Sequence, residues 1–178
     1  FTGNAQDASG SGNHGTVSGQ SLTSDRFSVA SRAYMFTNEP DYAAISCGSG
    51  ASLNPIADWT INARFYATSF GHANFPGILS RRDDTSAPYW ELYYSTAGGG
   101  GLKFQATGIG FGATSSVPLN VWQMVTVTRA DDLVTMYLNG QIIAQTTNNY
   151  VLQSSAPLRI GILGGDYAAR DQQFVGKI

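Results

Sequence analysis

The sequence predicts an all-β domain, a sandwich or barrel of short strands, and three observations carry that reading. Charged residues make up only 12% of the 178 residues while Gly contributes 21 of them. The polar surface therefore falls to Ser, Thr, Asn, Gln and Gly, which suit turns and sheet faces better than exposed helices. From Ala33 onward short apolar or alternating segments recur between turn residues, and no segment shows a helical period. A chain of this length fits one domain, residues 1–178, with a proper core.

The elements follow in order. The opening, with Gly3-Asn4, Asp7, the run from Ser9 to Asn13 and Gly15, reads as a loop until about Thr16. Short strands are expected at 34–36 and 42–46. The clearest alternation lies at 59–67, where Trp59, Ile61, Ala63 and Phe65 share one face and Thr60, Asn62, Arg64 and Tyr66 the other. Further strands are expected at 78–82, 89–95 and 102–107, with Gly98 to Gly101 as the flexible connection between the last two. The segment 121–129, with Val125 and Val127 inward, turns through Ala130-Asp131-Asp132 into a hairpin. There Val134, Met136 and Leu138 point one way and Thr135 and Tyr137 the other, and Asn139-Gly140 permits a type I′ turn before Gln141 to Ala144 return. Strands at 158–163 and 174–178 bring the total to about ten.

Several function classes are disfavoured at once. Ten Lys plus Arg against twelve Asp plus Glu give a net charge of −2, so no global field draws the chain to nucleic acid. No apolar run approaches the ~20 residues that span a bilayer, and no charged-then-apolar segment opens the chain, which reads as a soluble piece without membrane insertion. Gly108 to Gly112 has neither dinucleotide spacing nor a following helix. The single cysteine, Cys47, has no internal disulfide partner and reads as a buried small hydrophobe.

The order of segments FTGNAQDASGSGNHGTVSG, RAYMF, SLNPIADWTINARF, ILSR, WELYY, LKF, VPLNVWQMVTVTR, VTMYLNGQIIA, LRIGILGG and FVGKI resembles the bacterial and phage laminin-G-like, concanavalin-A-like lectin/glucanase modules across essentially the whole chain. The resemblance implies a two-sheet antiparallel jelly-roll sandwich, set within a larger extracellular or cell-surface protein or a virion. Members of this kind usually continue after a segment like FVGKI with an acidic pair and a last strand. This chain stops at Ile178, so the resemblance implies a jelly roll short of that strand, with an open sheet edge. It also implies that an N-terminal loop of this type can join a C-terminal acidic residue around one structural Ca2+. In the loop the candidate oxygen ligands are Asn4, Asp7 and Asn13, with Gly letting the chain curl; the competing expectation is an ordinary loop held by Asx turns.

An enzyme of this kind would carry two or three carboxylates at alternate positions of one strand. Only two Glu exist: Glu39 beside Pro40, and Glu91 with no acidic residue two or four positions away, so the chain is expected not to be an enzyme. Asp83-Asp84 and Asp131-Asp132 fall in turns, and His14 and His72 lie in loops unsuited to a catalytic triad or a closed zinc site. Ligand binding is the better reading. Tyr89, Glu91 and Tyr93 share a face opposite Trp90, Leu92 and Tyr94, and Arg64, Tyr66 and Arg81 are further outward candidates. Aromatic rings stack on the C–H faces of sugars, while Arg and Glu meet hydroxyls. Asp83, Asp84, Tyr167 and Arg170 are alternative contacts on a loop rim. The expected function is a noncatalytic glycan-binding or adhesion module. The competing expectation is a structural protein–protein interaction module of a fibre, cell-surface polymer or virion.

Overall fold

The structure, a computed structural model, describes residues 1–37, 43–70, 74–83, 88–114, 116–148, 150, 152–164 and 172–178. In chain order its strands are β1 (Thr16–Ser18), β2 (Ser21–Thr23), β3 (Ala33–Phe36), β4 (Ala44–Ser46), β5 (Trp59–Ser69), β6 (Gly77–Arg81) and β7 (Trp90–Ser95). They continue as β8 (Gly101–Ala106), β9 (Ile109–Gly112), β10 (Gln123–Ala130), β11 (Leu133–Leu138), β12 (Gln141–Thr147), β13 (Arg159–Ile160) and β14 (Val175–Lys177). Among the described residues helical structure is confined to short 3-10 turns, including Ala51–Leu53 and Ala97–Gly99. Two seven-stranded antiparallel sheets result. Sheet I runs β1-β4-β13-β6-β7-β8-β9 and sheet II runs β12-β11-β10-β5-β14-β3-β2. This is the expected all-β, two-sheet sandwich, consistent with a jelly roll.

Alternation builds the core. On β5 the side chains of Trp59, Ala63, Phe65 and Ala67 are buried while Thr60, Asn62 and Arg64 face solvent. Across the sandwich β7 and β8 contribute Trp90, Leu92, Tyr94, Leu102 and Phe104, all buried. Phe104 sits 5.5 Å from the Trp59 ring and 6.4 Å from Trp90, so the two sheets meet through aromatic contacts. The hairpin forms as expected: Leu138 pairs with Gln141, and Asn139 and Gly140 both have positive φ, 51° and 83°.

Three strands escaped the sequence reading. β1, β2 and β9 present largely exposed residues, so no apolar alternation marks them; they are held by backbone pairing to β4, β3 and β8. The strand expected at 158–163 shortens to β13. Gly161, at φ 87°, turns the chain there, and a Cβ on it would overlap the Phe36 ring. Cys47 is half-buried, less than expected, and burial pushes its thiol pKa up. No helix among the described residues is long and apolar enough to cross a membrane.

The C-terminal strand has an unusual place. β14 lies between β3 and β5, pairing Gly176 with Phe36 on one side and with Ala67 on the other. The pairing ends where Ile178 exchanges backbone hydrogen bonds with Tyr34. A cleft of about 370 Å3 there is lined from sheet II by Ala33, Asn62 and Arg64 and from sheet I by Leu79 and Ile160.

Candidate functional site

Sheet I has a polar, aromatic outer face. Because Trp90, Leu92 and Tyr94 of β7 point into the core, Glu91 and Tyr93 point outward, and their partners across β8 are Gln105 and Lys103. Ser80 of β6 lies opposite Glu91 on the other side. Tyr89, just before β7, joins the same face through its hydroxyl, which accepts a 2.6 Å hydrogen bond from Gln105 Nε2. The Tyr93 hydroxyl donates to Gln105 Oε1 at 3.3 Å, so one amide fixes two phenols.

The charged pair of this face is Glu91 with Arg82. Glu91 Oε1 accepts from Arg82 Nη1 at 3.0 Å, and the guanidinium lies 5.0 Å over the Tyr89 ring. Glu91 is only 2% exposed. Burial pushes its carboxyl pKa above the ordinary carboxylate value, and Arg82 offsets that only in part. The Tyr93 phenol is likewise pushed up, chiefly by burial and then by the charge of Glu91. A cleft of about 200 Å3 opens on this arrangement, lined by Phe75, Arg82, Glu91, Tyr93, Gln105, Leu163 and Gln172. Phe75 is 39% exposed and meets Tyr93 edge-on, ring centroids 5.9 Å apart, which leaves an aromatic surface at the cleft mouth.

Of the expected site residues, the fold gathers Tyr89, Glu91 and Tyr93 here and separates the others. Arg64 and Tyr66 do face outward, but on sheet II, where Tyr66 packs 5.8 Å from Trp122 and 5.3 Å from Lys177 Nζ. Arg81 is a correction. It is 0% exposed, its Nε donates to Ala156 O at 3.0 Å, and its Nη atoms donate to Leu53 O at 2.8 Å, Ser154 O at 2.8 Å, Ser49 O at 3.4 Å and the Asn54 side chain. Its guanidinium ties the 49–54 and 154–156 loops together, away from the outer face; burial pulls its pKa down. A bulge between Gly77 and Leu79 shifts the phase of β6, so Leu79 and Arg81 face inward and the outward cation is the next residue, Arg82.

Tyr89 is buried beneath Arg82 and offers its hydroxyl more than its ring. Phe75, Arg82, Gln105 and Gln172 were missed by sequence reasoning. Only Gln105 carried a signal, its alternation with Phe104 on β8. On the rim, Asp83 is bound to Arg159 at 2.7 Å, while Asp84, Tyr167 and Arg170 lie outside the described residues, as do Glu39 and His72.

The N-terminal loop is ordered by its own hydrogen bonds. Asp7 Oδ1 accepts from Ser9 N at 2.8 Å and Oδ2 from Asn13 N at 3.0 Å, Asn4 Oδ1 accepts from Gln6 N at 3.0 Å, and Asn13 Nδ2 donates to Ser52 Oγ at 2.9 Å. These bonds hold the Asp7 carboxyl below its ordinary pKa, the Ser9 side chain foremost. Calcium takes six to eight oxygens, whereas this loop brings one carboxylate whose two oxygens already accept N–H donors. No group of three or more His, Cys, Asp or Glu side chains that could hold a metal occurs among the described residues. The donor set present does not by itself fit a calcium shell.

Comparison with known proteins places this geometry in context. A family model described as the concanavalin A-like lectin/glucanases superfamily matches residues 36–178. Among solved structures, domain 4 of AbnA, a GH43 extracellular arabinanase from Geobacillus stearothermophilus in complex with arabinotriose, is similar at a TM-score of 0.73 and 13% identity, over 98% of this chain and 83% of that one. The CBM40 of the Ruminococcus gnavus IT-sialidase, bound to α2,3 sialyllactose, is similar at a TM-score of 0.57 and 15% identity, over 92% and 85% of the two chains. A native heptameric SAP-like pentraxin from Limulus polyphemus is similar at 0.54 and 17%, over 82% and 71%. At these identities the likeness is one of fold. No curated protein sequence matches the chain.

Proposed function

From the premise that the chain belongs to the concanavalin A-like lectin/glucanases superfamily, we propose that it is a noncatalytic glycan-binding module whose ligand lies on the outer face of sheet I. The observation that carries the reading is the cleft whose lining brings together the exposed Phe75 ring, the Arg82–Glu91 pair and the Tyr93–Gln105 hydrogen bond. A sugar presents an apolar C–H face and a rim of hydroxyls. Phe75 and Leu163 supply the apolar contact, and Gln105, Tyr93 and Arg82 supply fixed donors and acceptors. Solved structures of the same fold that carry arabinotriose and sialyllactose support a glycan in general. The proposed setting is an extracellular or cell-surface protein, with adhesion to polysaccharide as its use.

The noncatalytic part of the reading rests on charge. Glycoside hydrolysis takes two carboxyl groups roughly 5 to 10 Å apart. Glu91 is the sole carboxylate among the described residues lining this cleft, and it is tied to Arg82. Affinity electrophoresis against insoluble and soluble polysaccharides tests the proposal. Retardation that Phe75→Ala and Gln105→Ala abolish, with no release of reducing sugar, is the expected result. Sustained sugar release lost in Glu91→Gln would overturn the noncatalytic reading. Absence of retardation on every polysaccharide would favour a protein partner.

A further inference from the structure

We propose that the cleft on sheet I selects a single uncharged sugar ring and that Gln172 sets this specificity by accepting a hydrogen bond from one sugar hydroxyl. The proposal rests on the glycan-binding reading and deepens it. Two observations carry it, one about a missing donor and one about charge.

The first concerns the Gln172 carbonyl. Gln172 Oε1 is buried and has no hydrogen-bond partner, yet Gln172 lines the cleft. A buried acceptor without a donor is costly, and native structures seldom leave one unmet unless it has a use. The terminal torsion of a glutamine is soft, so a small rotation brings the carbonyl to the cleft, where a hydroxyl satisfies it. The other polar side chains of the cleft each already hold at least one partner. Gln105 Oε1 takes the Tyr93 hydroxyl, Gln105 Nε2 binds the Tyr89 oxygen, and Glu91 Oε1 takes Arg82. Gln172 is thus the acceptor whose demand a ligand meets at no cost to an existing bond.

The second concerns the sign of the ligand. Among the described lining residues the sole cation, Arg82, is 3.0 Å from the sole anion, Glu91. Arg159, nearby, is held by Asp83 at 2.7 Å and by the Arg82 carbonyl at 2.6 Å, and Lys103 lies against the Ala113 carbonyl outside the cleft lining. A carboxylated or sulfated sugar entering here would lose its water and meet a cation already neutralised. An uncharged sugar has no such cost. The volume, about 200 Å3, falls below the roughly 300–1,000 Å3 of pockets for drug-sized ligands, which matches one ring and not a stretch of polymer.

The test is isothermal titration of the intact chain with two sets of oligosaccharides of matched length: neutral arabino-, xylo-, manno- and gluco-oligosaccharides, and acidic oligogalacturonates and sialyllactose. Binding is expected for a neutral member and at least about tenfold weaker for every acidic one. Gln172→Leu, which replaces the orphaned amide with an apolar side chain of similar size, is expected to weaken neutral binding about tenfold while its Tm is unchanged or raised. Gln172→Leu binding with wild-type affinity, or a preference for acidic sugars, would overturn the inference and leave the glycan-binding reading standing. No binding by the wild type to any member would overturn both.

Discussion

Arg81 and Arg82 are neighbours in the chain and occupy opposite sides of sheet I. The Arg81 guanidinium is sealed inside one end of the sandwich on carbonyls of the 49–54 and 154–156 loops, while Arg82 reaches across the outer face to Glu91, 3.0 Å away. Identical side chains thus divide the labour of holding the fold and presenting a surface.

That division predicts different outcomes for the same substitution. Arg81→Ala would leave several buried carbonyls without donors and is expected to cost about 3 kcal/mol or more. Arg82→Ala, at a partly exposed position, is expected to cost less than that and to weaken glycan binding instead. Urea denaturation of both variants, read beside affinity electrophoresis, checks the contrast; equal losses of stability would contradict it.

The two perturbed carboxyls predict opposite pH behaviour. Glu91 has a native pKa above its ordinary value of 4.5, so the folded state holds its proton more tightly. Its contribution favours folding below that value and is lost as pH rises through the native pKa. Asp7 is depressed below 3.8, so its contribution is present above that value and lost as pH falls through the native pKa. Relative to Glu91→Gln, the wild type should lose ground as pH climbs above about 4.5. Relative to Asp7→Asn, it should lose ground as pH drops below about 4. Denaturation midpoints across this range decide both signs.

Two glycines at positive φ should differ sharply. Gly161 faces the Phe36 ring at the end of β13, with no room for a Cβ, whereas Gly108 has nothing within 4 Å. Gly161→Ala combines backbone strain with a core clash and is expected to cost about 3 kcal/mol or more. Gly108→Ala carries backbone strain alone, about 1 kcal/mol. Thermal melts of the pair measure the difference, and a Gly161→Ala protein as stable as Gly108→Ala would refute the close packing against Phe36.

Phe75 provides a cleaner probe of the surface than any buried residue. Its ring is exposed and its one aromatic contact among the described residues is edge-on to Tyr93. Phe75→Ala should therefore leave Tm within about 2–4 °C, the shift expected for roughly 1 kcal/mol in a domain of this size, while glycan retardation disappears. Retained retardation would move the ligand elsewhere.

The architecture was largely legible because amphipathic strands announce themselves: the 59–67 alternation and the Asn139-Gly140 hairpin are where they were expected. Edge strands such as β1 and β9 gave no such signal, since neither of their faces is buried deeply enough to impose one. The site was half legible. Alternation says which face of a strand a residue occupies and not which sheet the strand joins, so Arg64 and Tyr66 were correctly turned outward yet lie across the molecule from Glu91. A bulge moved the relevant arginine by one residue. Phe75 and Gln172 come from segments outside the strands, whose approach to Tyr93 only the folded chain reveals.

The position of β14 has a bearing on biosynthesis. Sheet II joins Phe36 to Ala67 only through Gly176, about 140 residues beyond the first of them. A nascent chain on the ribosome can zip β5, β10, β11 and β12 as they emerge, but the half carrying β2 and β3 must wait, with its inner flank bare, until the segment around residue 176 has been made. Such late closure favours slow assembly and dependence on chaperones during synthesis.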